Sequence, residues 1–413
     1  LVLLTAAGGL AWIWDQWQFQ QRLGQAEQEV DRGHIHVAIL LLDECLQRRP
    51  THRQALLLST RVARQSGHLE TAENWLDQYW QLYGDDEEVV FERLLLQAAR
   101  GELEVTDPRL RERERQGGAV SRLIREACVS GLLSRFRWGE AGQLLTAWLA
   151  DSPEDPWALY LMGRLQEHRD DLESAKEYYR RLVEQDPDHD EARQRLAQLL
   201  VQTRHGDEAL PHVEHLLTRR PYQRDIQLLW GRTLILLGRL TEAQQVLDSI
   251  LAEHPRFAAA LAERGKVALF QEQPHQAIDY FALAVQNDPG DLAIRHQYAT
   301  ILAQNGQETE AAQQRQAIQQ LEADNERIKQ LIEGPLQREP NNANVHHEIG
   351  MIALRAGQIQ EALRWFRSAL RIDPQHVPTH RVLMVYYEES GQPALAARHR
   401  AYAHAGMEEN PKK

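Results

Sequence analysis

The sequence predicts an all-α protein made of about eleven stacked helix pairs. Three observations predict it. The chain has 413 residues, more than one compact core usually holds. Leu, Ala, Glu, Gln and Arg dominate, which favours helix, and runs of Val, Ile and Thr that would suggest strands are missing. Small residues and prolines recur with a fixed period of 34. With 43% hydrophobic and 26% charged residues, the chain reads as folded rather than disordered.

Three series share that period. Gly163, Ala197, Gly231, Gly265 and Ala299 mark the middle of one helix, and Ala175, Ala209, Ala243, Ala277 and Ala311 mark the next. Pro153, Pro187, Pro221, Pro255 and Pro289 mark the junction to the following pair. Small residues in the first helix let the second approach closely. Gly238, Gly306 and Gly357 end the first helix, where a left-handed residue satisfies its last carbonyls. The Asp186-Pro187, Asp288-Pro289 and Asp373-Pro374 pairs stop the second helix, because Pro discourages helix in the residue before it. One pair cannot bury its apolar face alone, so neighbours must stack.

With these marks in register, the sequence resembles the tetratricopeptide repeat, a helix-turn-helix unit of 34 residues. Leu159, Met162, Gly163, Ala175, Tyr179, Leu182 and Pro187 match its positions, and so do Gly350, Gly357, Ala362, Phe366, Ala369 and Pro374. The resemblance implies a right-handed α-α superhelical solenoid, similar to the long membrane-anchored repeat proteins of bacteria.

The organisation follows from the register. Residues 19–153 form N-terminal repeats, with Gly33, Gly67 and Gly101 spaced 34 apart. The third is degenerate: a clear first helix, about Glu87 to Arg100, precedes a short Arg- and Glu-rich one, about Asp107 to Gln116. From Ala72 to Ala141 is 69 residues, two periods plus one. Residues 156–311 form the regular array. From Ala311 to Ala362 is 51 residues, which places an extended-helix insertion at 312–340. Its Ile318, Leu321, Asn325, Ile328 and Ile332 follow a helix-seam rhythm. The extension either protrudes as an arm for a partner or folds back on its neighbours. Folding back is favoured, since two heptads are too short for a coiled coil. Residues 343–406 carry the last repeats and cap, and 407–413 a disordered tail.

Residues 1–14 carry no charge. A spanning helix needs roughly 20 apolar residues, so this segment reads as the second half of an anchor that starts before Leu1. A signal-peptide core and a buried capping helix are the alternatives. Trp12, Trp14 and Trp17 suit a membrane interface. Asp15 precedes the first basic residue, Arg22, which favours repeats on the non-cytoplasmic, periplasmic side, with the cytoplasmic face as the alternative.

The net charge of -13 argues against nucleic-acid binding. Cys45 and Cys128 fall on apolar helix faces and read as small buried hydrophobes. The 18 His include His212 with His215 and His346 with His347, but no zinc-ligand pattern, so no metal site is expected. His168-Arg169-Asp170 mimics a kinase triplet without the Gly-rich loop, and Asp186, Asp188 and Asp190 lack the Gly and final Glu of a calcium loop. No phosphate loop or nucleophile elbow is present, so no catalytic residue and no cofactor is expected.

In the family it resembles, first helices line a groove. The resemblance implies that Trp157, Tyr160, Arg164, His168, Arg232, Lys266, Phe270, His296, His347 and Arg355 are exposed there. This set leans basic and aromatic, which suits an acidic or C-terminal peptide. The functional expectation is a non-catalytic, membrane-anchored scaffold binding protein or peptide partners. An accessory subunit of a bacterial envelope assembly or secretion complex is the alternative.

Overall fold

The computed structural model describes residues 2–102, 107–115 and 117–403, with side chains from Trp14 onward. The expected tail at 407–413 and Trp12 at the apolar start lie outside the described residues or side chains. Among the described residues there are 23 helices. The chain divides into two compact units, one ending at Leu229 and the other beginning at Trp230.

The N-terminal unit begins with α1 (Val2–Arg32), α2 (Ile35–Arg48), α3 (Arg53–Gln65) and α4 (Leu69–Tyr83). It continues through α5 (Glu87–Ala99), α6 (Pro108–Glu114), α7 (Gly118–Ser134) and α8 (Trp138–Asp151). Then follow α9 (Pro156–His168), α10 (Leu172–Gln185), α11 (Asp190–Gln202) and α12 (Gly206–Arg219). Helix α13 (Arg224–Leu236) runs across the division. The C-terminal unit holds α14 (Leu240–Glu253), α15 (Ala258–Phe270), α16 (Pro274–Asn287), α17 (Leu292–Gln304) and α18 (Glu308–Glu333). It ends with the single turn α19 (Pro335–Arg338), then α20 (Ala343–Arg355), α21 (Ile359–Ile372), α22 (Val377–Glu389) and α23 (Pro393–Ala403). Apart from α19 these form antiparallel pairs in chain order. None of the described helices is long and apolar enough to cross a membrane. Residues 2–14 form the leading part of α1, continuous with the first helix of pair one.

The turn inside each pair carries one residue of positive φ. These residues are Gly33, Gly67, Gly101, Phe136, Asp170, Arg204, Gly238, Glu272, Gly306, Gly357 and Gly391. Their spacing is 34 throughout, except for one extra residue before Phe136 and 17 before Gly357. The following N–H always reaches back five residues, as Asp171 does to the Gln166 carbonyl (3.0 Å) and Gln307 to that of Leu302 (2.9 Å). This is the bond that closes a helix on a left-handed residue. Four pairs make the turn without Gly. A left-handed L-residue costs roughly 1–2 kcal/mol, so Arg204→Gly and Glu272→Gly are expected to stabilise the chain by about 1 kcal/mol each. Gly306→Ala, which has open space around its added methyl, is expected to lose a similar amount from φ alone. Urea titration of the three variants checks both signs.

Inside a pair, the small residue of the first helix faces a bulky one 16 positions later. A methyl added at Gly163 would lie 2.6 Å from the Tyr179 ring, and one at Gly350 2.6 Å from that of Phe366. Gly265 faces Phe281 and Gly231 faces Leu247 in the same way. At Gly163 and Gly350 an added methyl would force the facing ring to move, whereas at Gly231 and Gly265 the neighbour would have to give by only a few tenths of an ångström. The third pair breaks the rule. Its second helix, α6, has 7 residues, and Leu94 occupies the small-residue position. Helix α7 packs directly on α5 instead, with Gly131 against the Ala98 carbonyl.

Helix α18 overruns its pair and ends at Gly334, where Pro335 starts α19. The overrun folds back: Arg355 of α20 grips Asp324 (2.7 Å), and Arg327 grips Glu348 (2.7 Å). The buried line is Ile318, Leu321, Asp324 and Leu331, so its polar member is Asp324, while Asn325 faces solvent. The seam read with Asn325 is thus displaced by one residue. It assumed a strict heptad, whereas a straight helix drifts from that repeat.

Candidate partner-binding surface

The first helices place the ten expected groove residues in unequal settings. In the N-terminal unit Trp157 is only 4% exposed, which corrects its expected exposure. Its indole is covered by Gly33 and packs edge-on to Tyr160. Tyr160 is half-buried and stacks on His189 (6.0 Å between centroids). His168 is exposed and stacks on Trp138. Arg164 is half-buried beside it. On the neighbouring first helix, Arg195 lies 3.6 Å from Glu167, which also accepts from the Tyr179 hydroxyl.

In the C-terminal unit the expected cations are already partnered. Arg232 and Lys266 both bind Glu263 Oε1, at 2.8 and 3.0 Å. Arg355 is held by Asp324, and His296 lies 3.5 Å from Glu322. His347 Nδ1 bonds the Thr379 hydroxyl (3.0 Å) beneath the Phe366 ring. Phe270 stands 62% exposed one turn after Lys266 on the same face of α15. The basic lean read from the sequence is therefore partly cancelled. Carboxylates that spacing did not single out, Glu263 and Asp324, sit among the cations.

Sequence reasoning also missed a recurring junction. The residue six places after the closing proline bonds that proline's carbonyl. Arg193 donates to Pro187 O (2.6 Å), Gln227 to Pro221 O (3.0 Å) and Arg295 to Pro289 O (2.6 Å). His346 Nε2 reaches Pro340 O (2.9 Å), and His380 Nε2 reaches Pro374 O (3.0 Å). A proline carbonyl at a helix end has no intrahelical partner, so a donor here completes the chain reversal. The residue 19 further on meets the same side chain: His212 against Arg193, Gln314 against Arg295, His399 against His380. The polar residue at a fixed distance from Pro was the available signal. It accounts for the placement of His212 and His346.

Other singled-out residues have structural partners too. Asp188 and Asp190 pair with Arg219, and Asp190 also with Arg220. Arg169 donates to the Trp138 carbonyl. Cys45 and Cys128 are buried, and burial pushes the Cys128 thiol up to about 12.

Nine histidines sit below their ordinary range: His36, His52, His168, His189, His212, His215, His347, His376 and His399. Burial is the leading cause in each. For His212 burial and then the Arg193 guanidinium bring it to about 4. Unfolding frees these rings to bind protons near pH 6.5. The unfolded chain thus takes up more protons, and stability present above pH 6.5 is lost as pH falls towards 4. Urea midpoints are expected to drop between pH 7.5 and 5.5, and His212→Gln is expected to shallow the slope.

The fold and surface define a repeat-array protein whose first helices carry mixed polar and aromatic side chains. Family models described as tetratricopeptide repeat match residues 132–200, 168–217, 200–263 and 343–376. Over those residues the chain carries tetratricopeptide repeats, and its paired all-α arrangement is consistent with a solenoid of them. No curated protein matches it. Among solved structures it is similar to a thermophilic repeat protein of Thermus thermophilus, TTC0263, at 23% identity over 42% of this chain and 95% of that one (TM-score 0.35). A repeat protein of Parabacteroides merdae shares 16% identity over 69% and 98% (TM-score 0.35). A human IFIT1 dimer with m7Gppp-AAAA shares 16% over 86% and 90% (TM-score 0.43). At these values the structures carry no functional argument.

Proposed function

We propose that the protein is a non-catalytic scaffold that binds partner proteins or peptides on its first-helix faces. The observation that carries this is the exposed Phe270 ring beside Lys266 and Arg232. Aromatic residues, Phe among them, and Arg are enriched at protein interfaces relative to the rest of the surface. Glu263 neutralises one of the two cations, so a partner carboxylate meets a single surplus positive charge. Phe270 supplies the apolar contact. The scaffold works at a membrane on this reading, with Trp14 and Trp17, about 60% exposed, at the end of the uncharged segment.

The test is capture with the full chain from separated membrane and soluble fractions, comparing wild type with Lys266→Glu/Phe270→Asp. A partner held by wild type and lost by the folded variant is expected. Equal capture by both removes this surface from the reading. Recovery of the bait solely in the soluble fraction sinks the membrane part.

A further inference from the structure

The covered state of Trp157 has a specific cause. The turn between α1 and α2, Gly33 to His36, sits on α9 and on the connector from α10 to α11, all within the N-terminal unit. A methyl on Gly33 would lie 3.0 Å from His189 Nε2 and 3.6 Å from the Trp157 indole. His34 is buried between two carboxylates. Its Nδ1 meets Glu29 at 2.5 Å, and its Nε2 meets Asp186 at 2.8 Å, 152 residues away. Its ring stands edge-on to His189 at 5.5 Å. Ile35 packs on the cluster that holds Trp157, Leu161 and Val129. The His36 N–H donates to Glu191 Oε1 (3.0 Å).

These contacts have the form of a bound peptide. A main-chain N–H is read by a carboxylate, an imidazole by a second carboxylate, an aliphatic side chain by an apolar cluster, and a glycine by close approach. They fall where a groove residue was expected to be open. They also leave capacity unused: Trp157 Nε1 and Glu191 Oε2 are buried without a hydrogen bond. Such atoms cost free energy until a partner reaches them.

We infer that Trp157, Asp186, His189 and Glu191 form a peptide-recognition site whose resident occupant is the chain's own first repeat. Its ligand class is a turn with a small residue, then an imidazole or cation, then an aliphatic residue. This differs from the acidic peptide proposed for the Phe270 surface. The inference rests on the reading of the array as a peptide binder, but on a different surface. A competing ligand must displace the Gly33–His36 turn, so its apparent affinity is reduced by the fraction of molecules in which that turn is open.

The test uses the full chain and a labelled peptide with the sequence of residues 29–40. His34→Ala loosens the occupant and is expected to bind the peptide at least tenfold more tightly than wild type. Amide exchange at His36 should accelerate at least tenfold in the same variant, with α20 and α21 unchanged. His34→Ala/Asp186→Asn should lose the peptide. Unchanged exchange together with no peptide binding overturns the inference and makes the turn fixed architecture. If His34→Ala loses helicity, Asp186→Asn alone decides. It lies outside the first repeat and must speed exchange at His36 without unfolding the unit, and failure to do so refutes the site. Lys266→Glu/Phe270→Asp should leave all these readouts unmoved, which separates this result from the fate of the other surface.

Discussion

Gly131→Ala is expected to destabilise the N-terminal unit by about 3 kcal/mol, one of the largest effects open to a single methyl in this chain. The methyl would stand 2.0 Å from the Ala98 carbonyl oxygen and 2.9 Å from the Gly101 nitrogen. Both are main-chain atoms, so no rotamer change relieves the clash. Helix α7 would have to move off α5, and the two share the cluster of Leu95, Ala98, Ile124 and Ala127. At this size of domain the loss corresponds to roughly 10 °C in Tm. Gly24→Ala is the control. It lies in the middle of α1 with nothing within 4 Å of the added methyl, and is expected to gain about 0.5–1 kcal/mol from helix propensity. Thermal melts of the two variants should move in opposite directions. Melting of Gly131→Ala at the wild-type temperature would contradict the close approach of α7 to α5.

Glu126→Ala is expected to cost roughly 3–5 kcal/mol. Arg64 of α3 has a fully buried side chain, and its guanidinium meets Glu126 of α7 at 2.5 Å and Glu92 of α5 at 3.7 Å. Arg61 pairs with the same Glu92 at 2.8 Å. Two cations and two carboxylates balance across three successive first helices. Without Glu126 one buried positive charge has no counterpart, and Nε and Nη2 of Arg64 already lack hydrogen bonds. Removing the pair together, as Arg64→Met/Glu126→Leu, is expected to recover most of the loss, because desolvation of both charges disappears with their attraction. Urea unfolding of the single and double variants tests this. A double variant no more stable than Glu126→Ala would mean that packing, not charge, sets the cost.

Much of the architecture was legible because the repeat makes each local decision many times. The turn glycines from Gly33 to Gly391 share one backbone requirement, and Phe136, Asp170, Arg204 and Glu272 meet it without glycine. The 17 residues that lengthen α18 were visible as a break in the period. The degenerate third pair was visible as a short charged segment between clear helices.

The surface was less legible. Arg232, Lys266 and Arg355 were placed on first helices by register, but register does not say which carboxylate each one meets. Arg64, Glu92 and Glu126 would pass in sequence for a solvated face, yet they are buried because α7 replaces a truncated second helix over α5.

The sequence by itself determined the helix pairs, their turns, their stops and the small-to-large contact within each pair, since all of these act between residues at most 34 apart. Tertiary structure alone decided which faces stay open. His34 meets Asp186 and Gly33 lies against Trp157 only because the N-terminal unit brings its first pair onto its fifth and sixth. No periodicity encodes a contact made between residues 152 apart: His68 and His205 share the register position of His34, and Asp288 and Asp373 that of Asp186, so the repeat alone does not say which of them meet.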